Sequence, residues 1–146
     1  MIKEFAINDF QKCCEVFMQT FNSPPWNDQF TIETAGIYLQ ELVDNKRFVG
    51  YTLWVDELLI GAAFCHMRYN WRGDEFCLDI IYISPDYQGK GYGSVILDAV
   101  EKSAKENNCM NITLSTSANA PACKLYKKFG FDKVPDDWWV MHKSVK

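Results

Sequence analysis

At 146 residues the chain is long enough for one domain with a sizeable core, and 48% hydrophobic against 23% charged residues describes a globular protein, not a disordered one. A net charge of −4 with no Lys/Arg-rich stripe argues against nucleic acid as a partner and mildly favours a cationic substrate. No apolar run approaches the length of a membrane span and the Met1–Phe5 start has no signal-peptide core, so a cytoplasmic protein with no membrane partner is expected.

The first strand is expected at residues 2–6. Asn8 or Asp9 can cap a helix whose apolar positions Cys13, Val16, Phe17 and Phe21 recur at helical spacing. Pro24 and Pro25 stop it, because neither can continue a helix. Thr31 caps a second helix with Ile32, Ala35, Leu39, Leu42 and Val43 on one side. Strands follow at 47–55 and 58–69, joined by a tight turn at Asp56-Glu57, and a further turn at 70–74 leads into a strand at 75–84. A helix from Gly91 to about Asn107 places Val95, Ile96, Val100 and Ala104 inward. A strand at 111–115, a short helix at 121–129 stopped by Gly130, and two strands at 131–134 and 138–144 complete the chain. No linker, repeat or low-complexity segment interrupts residues 1–146, so a single domain is expected.

Six cysteines (13, 14, 65, 77, 109 and 123) include no C-x-x-C pair and lie mostly in apolar runs, which predicts buried reduced thiols. His66 and His142 are the only histidines, so a zinc site or a Cys–His nucleophile has little to build on, and no metal is expected.

The organising stretch is Leu78 to Ser94, a buried strand running through a glycine-rich turn into a helix. Gly89, Gly91 and Gly93 let the backbone curl with its N–H groups inward, and the helix start adds unpaired N–H groups and the positive end of its dipole. That is a cradle for phosphate or pyrophosphate. Two familiar phosphate motifs fail on spacing. Lys90 sits inside the turn, not before a Ser or Thr as a Walker A loop demands. Gly93 follows Gly91 by two residues, not the three of a dinucleotide fingerprint, and the acidic ribose partner about twenty residues on is absent.

The remaining pattern, Gln88-x-x-Gly91-x-Gly93, resembles the acyl-CoA pyrophosphate loop of the GNAT N-acetyltransferases. The segment Asn119-Ala120-Pro121-Ala122-Cys123-Lys124-Leu125-Tyr126-Lys127-Lys128-Phe129-Gly130-Phe131 looks like the same family's Asn-x-x-Ala-x-x-Leu-Tyr-x-x-x-Gly-Phe. The resemblance covers essentially the whole chain. It implies a mixed α+β fold: a central, mostly antiparallel sheet with helices on both faces, whose one parallel strand pair parts to form a V-shaped opening.

The resemblance also implies acetyl-CoA as cosubstrate and direct acetyl transfer to a primary amine in a ternary complex. Backbone N–H groups of Gln88, Gly89, Lys90, Gly91, Tyr92, Gly93 and Ser94 would take the pyrophosphate. Ile81, Tyr82 and Ile83 would pair with the pantetheine arm like an added strand and offer an N–H to the thioester oxygen. Asn119 would bond the pantetheine or merely cap its helix. Tyr126 would protonate the leaving thiolate, or only pack there.

Asp79 stands alone as a charge in an apolar run, so it must be paired or functional. Relatives that include the spermidine/spermine acetyltransferases carry a glutamate at this place. Asp79 is therefore a base, an amine anchor or a buried ion-pair partner, and strand alternation groups it with Cys77, Ile81 and Ile83. Glu75 shares that parity and is expected in solvent. Trp26 and Asp28 in the Pro24–Asp28 loop, with Trp71 and Trp138, are candidate walls for a cationic acceptor. The alternative to an enzyme is an acyl-CoA-binding regulatory module without turnover, and the final strands with Trp138, Trp139 and Met141 are a candidate homodimer surface.

Overall fold

A computed structural model describes residues 1–146. The chain divides into two compact units, residues 1–115 and 116–146. The first is built on a five-stranded sheet in the order β1 (Ile2–Glu4), β2 (Phe48–Val55), β3 (Leu58–Arg68), β4 (Glu75–Ile83) and β5 (Asn111–Thr113). The first three pairings are antiparallel and β4–β5 is parallel, so the expected mixed, mostly antiparallel sheet is observed.

Helices α1 (Phe10–Phe21) and α2 (Ile32–Val43) cover one face, where Phe17, Ala35, Leu39, Phe64 and Tyr82 share a buried cluster. Helix α3 (Tyr92–Glu106) covers the other and buries Ile96, Leu97, Val100 and Ala104. Val95, expected inward, is exposed, because the buried stripe falls on the positions beginning at Ile96. Thr31 caps α2 as expected: Thr34 N–H donates to Thr31 Oγ1 at 3.1 Å and Thr31 N–H donates to Thr34 Oγ1 at 2.8 Å. Asp9 stands at the start of α1 but its side chain makes no cap bond, since a 3₁₀ turn over Ile7–Asp9 leads the chain in. All six cysteines are free, four of them buried. No helix is long and apolar enough to cross a membrane.

In the second unit, α4 (Ala122–Lys128) ends as the sequence predicts. Gly130, at φ 89°, donates to Lys127 O, and Phe131 donates to Tyr126 O at 3.0 Å, which is the Schellman closure. The two strands expected at 131–134 and 138–144 are not formed. A strand requires a ladder partner, and these residues have none. Their bonds are local instead: Trp138 N–H donates to Pro135 O, the Trp139 indole donates to Asp136 O at 2.7 Å, and Lys133 pairs with Asp136. Trp138, Trp139, Val140 and Met141 are exposed.

Close approach of β3 and β4 depends on Gly61, where an added Cβ would lie 2.6 Å from Tyr82 O. Gly61→Ala should therefore destabilise the protein by about 1–3 kcal/mol, read as a lower urea midpoint. An unchanged midpoint would mean that β4 yields freely at this point.

Candidate active site

The β3–β4 ladder is regular from Arg68↔Glu75 to Cys65↔Leu78 and resumes at Phe64↔Ile80, leaving Asp79 as an extra residue on β4. This is a β-bulge, which bends the strand and frees the extra residue from pairing. The bulge also overturns the face assignment made by simple alternation. Directly paired residues share a face, so Cys77 goes with His66, and Ile80 and Tyr82 go with Phe64 and Ala62 toward α1 and α2. Ile81 and Ile83 pair with Ala63 and Gly61 on the α3 side and do not share a face with Cys77. Glu75, expected in solvent, is instead half-buried and accepts from Arg68 Nε at 2.8 Å.

The parallel pairing of β4 with β5 ends at Cys77↔Thr113, two residues before Asp79. Beyond it, the β5-side edge of β4 has no strand partner, which is the expected opening between parting strands. Of the three strand residues assigned to this edge, Tyr82 points its side chain into the core, where its hydroxyl donates to Cys13 O at 2.9 Å. The Ile83 carbonyl is already occupied, accepting from Gln88 Nε2 at 2.9 Å. Ile81 is half-buried and its carbonyl and amide have no partner outside the β3 ladder.

A 3₁₀ turn over Pro85–Tyr87 ends at Gln88, and the glycine loop follows. Gly89 and Gly91 adopt φ of 73° and 87°, and Gly91 is the N-cap of α3. No protein acceptor is bonded to the backbone N–H of Gly89, Lys90, Gly91, Tyr92, Gly93 or Ser94. A Cβ built on Gly89 or Gly91 would meet nothing within 4 Å, so the space over the loop is open. Oriented amides, a helix N-terminus and open space suit an anionic group of pyrophosphate size. Lys90 is exposed, its ammonium 5.4 Å from the Tyr87 ring centroid, and Tyr92 packs edge-on to Tyr87.

On the α1/α2 side, Asp79 Oδ2 lies 2.6 Å from His66 Nδ1. Both side chains keep about a fifth of their surface, 23% and 21%, and neither Asp79 Oδ1 nor His66 Nε2 has a protein partner or is sealed from solvent. Tyr38 of α2 stands near enough to feel Asp79: burial, then the carboxylate, push its phenol up. Its ring stacks on Phe17 at 5.1 Å. His66 is the residue that sequence reasoning missed. Regular hairpin counting sets Asp79 opposite Phe64, and only the bulge frees it to reach two residues along β3.

The loop after α1 is closed by Asn22, whose side chain both accepts from Phe30 N–H and donates to Phe30 O, each at 2.9 Å. Trp26 packs on Phe21 at 5.2 Å with part of its ring exposed, and Asp28 is exposed with no ion-pair partner. Trp71 is exposed in the β3–β4 turn beneath Arg72. In the second unit, Asn119 is exposed and donates through its backbone to Ser117 Oγ. Tyr126 is the buried residue of α4, edge-on to Phe131, and burial with the nearby Cys123 thiol pushes its phenol up.

Residues 8–131 match the model of the acetyltransferase (GNAT) family. The chain belongs to the GNAT family. A thialysine N-ε-acetyltransferase from Bos taurus is 32% identical over 74 residues, 49% of this chain and 44% of the cattle protein. This GNAT chain thus spans less than half the length of that relative. A ribosomal protein bS18-alanine N-acetyltransferase from Haemophilus influenzae is 27% identical over 92% of the chain and 82% of its own length. Among solved structures, a probable acetyltransferase covers 100% of the chain at TM-score 0.82 and 17% identity, with 98% of its own length matched. An aminoglycoside N-acetyltransferase in complex with CoA covers 100% of the chain and 95% of itself at TM-score 0.77 and 15% identity. At these identities the solved structures establish the GNAT fold alone.

Because Gly91 sits at φ 87° over open space, the cost of a side chain there is conformational and not steric. Gly91→Ala should destabilise by ~1–2 kcal/mol and Gly91→Asn by less, measured by denaturant unfolding. Equal losses in the two variants would point to crowding instead.

Proposed function

We propose that this GNAT protein is a cytoplasmic N-acetyltransferase that moves an acetyl group from acetyl-CoA to a primary amine by direct transfer. The observation that carries the reading is the run of unpaired amides from Gly89 to Ser94 opening α3 at the point where β4 and β5 have parted. When bound, acetyl-CoA supplies an activated acetyl thioester. The loop amides hold its pyrophosphate, each oriented donor or dipole contributing on the order of 0.3–1 kcal/mol. The free β4 edge around Ile81 aligns the pantetheine amides and offers an N–H toward the thioester oxygen, where a fixed donor favours developing negative charge.

Four residues remain for proton handling and acceptor recognition. An alkyl amine with pKa ~10.4 is almost entirely ammonium at pH 7, and neutralising it costs roughly 4–5 kcal/mol. Asp79 supplies the negative charge for this step, in a half-buried setting where a cation is drawn to it more strongly than in bulk water. Tyr126, kept protonated by burial, is the donor to the departing thiolate. Trp26 and Asp28 offer an aromatic face and a carboxylate to a cationic acceptor. Support for an amine acceptor comes from the relatives, whose named acceptors are thialysine, the alanine of a ribosomal protein and streptothricin.

Gly91→Asp should leave the thermal midpoint within a few degrees of the original while abolishing CoA binding by calorimetry, because it sets a carboxylate in the anion cradle. Unchanged CoA affinity would remove the loop from the site. Tyr126→Phe should reduce turnover ~10²–10⁴-fold with little change in CoA affinity; a near-normal rate would reduce Tyr126 to packing. The enzyme itself is tested by thiol release from acetyl-CoA with thialysine, an N-terminal alanine peptide, streptothricin, kanamycin and spermidine. Acetylated product by mass spectrometry is expected from at least one. Tight CoA binding with no product from any would favour a regulatory acyl-CoA-binding module.

A further inference from the structure

We infer that His66, held by Asp79, is the group that takes the proton from the acceptor ammonium, and that Asp79 is its positioning residue. The inference rests on the proposed amine acetylation. Its geometric basis is the 2.6 Å contact between His66 Nδ1 and Asp79 Oδ2 beside the end of the β4–β5 pairing. A carboxylate can only accept, so it fixes the neutral imidazole with its hydrogen on Nδ1. The lone pair is thereby left on Nε2, the ring atom with no protein partner and with access to solvent. Asp79 then stabilises the imidazolium that forms, the division of labour seen wherever a carboxylate orients a histidine base.

The surroundings add no competing base. Tyr38 on α2 faces the carboxylate as a neutral phenol pushed up by burial and by Asp79. Cys65 on β3 is pushed up strongly, by burial first and then by Asp79. The register sets buried Cys77 on β4 and uncharged Phe48 on β2 opposite His66. Arg68 on β3 and Arg47, just before β2, are engaged by Glu75 and Asp74.

The proton count closes. The acceptor arrives as R–NH₃⁺ and gives one proton to Nε2, directly or through one water. The freed nitrogen pair forms the C–N bond to the acetyl carbon, and the C–S bond breaks with its electrons on sulfur. A second nitrogen proton ends on the thiol, and the imidazolium returns its proton to water.

The test has two arms. Long-range ¹H–¹⁵N NMR of the full chain, with His142→Gln to assign the exposed second histidine, should find neutral His66 carrying its hydrogen on Nδ1. Asp79→Asn, whose side-chain amide can donate as well as accept, should release that preference and populate the Nε2–H tautomer. An Nε2–H tautomer in the unsubstituted protein, or a tautomer preference unmoved by Asp79→Asn, would overturn the inference whether or not the protein turns over. In the kinetic arm, any acceptor of the panel above that is acetylated is followed against pH. His66→Gln should lose the acidic limb of kcat/KM and fall ~10²-fold or more at pH 7 with CoA affinity unchanged. A retained limb in a folded His66→Gln protein would overturn the base role. Absence of acetylation from the whole panel would count against the proposed function, and the NMR arm alone would then decide the pairing.

Discussion

The site depends on one extra residue in an antiparallel ladder. Between Cys65↔Leu78 and Phe64↔Ile80 the chain of β4 is one residue longer than that of β3, and Asp79 is the surplus. A ladder can absorb an unpaired residue only by bending and twisting locally. That bend falls two residues after the last β4–β5 pair, at the place where the parallel strands separate. The same local event thus releases a charged side chain from the pairing pattern and lies beside a strand edge with unspent hydrogen bonds. Gly61 keeps the far side of the strand tight, where nothing larger fits against Tyr82 O.

Electrostatics follow from that placement. A carboxylate in an aromatic and thiol-rich layer must find a partner, because an isolated buried charge is far costlier than any packing gain. Asp79 finds His66, and its field is felt by Tyr38 and Cys65. The neighbouring acidic groups are handled differently. Glu75 and Asp74 are each taken by an arginine, which ties the ends of β3 and β4 and the entry to β2 together. Asp79 is the acid near the opening that pairs with an imidazole, whose two ring nitrogens can donate on one side and accept on the other.

Much of the fold was legible because its signals are local. Thr31 announces α2 through a cap formed within three residues, and Gly130 ends α4 by a closure confined to the helix's last turn. Gly91 can take the left-handed backbone that a side chain disfavours, and it does so at φ 87° immediately before Tyr92, where α3 starts. What was misread needed distant partners. Residues 131–144 carry a strand-like alternation, but alternation supplies no ladder, and the Pro135–Asp137 segment satisfies its neighbours with turn bonds. Val95 satisfies helical periodicity as well as Ile96 does; which of them is buried depends on how α3 meets the sheet.

The sequence by itself determined the order of elements, the glycine-rich turn at residues 88–94 that opens a helix and the anomaly of a carboxylate at position 79, since each is a property of short-range spacing and residue chemistry. Tertiary structure alone decided what Asp79 touches. A bulge is a mismatch between two strands, and no single strand carries a record of it. Counting from the 70–74 turn sets Asp79 across from Phe64; the observed ladder moves Ile80 there and turns Asp79 to His66, whose importance is invisible until the register is known.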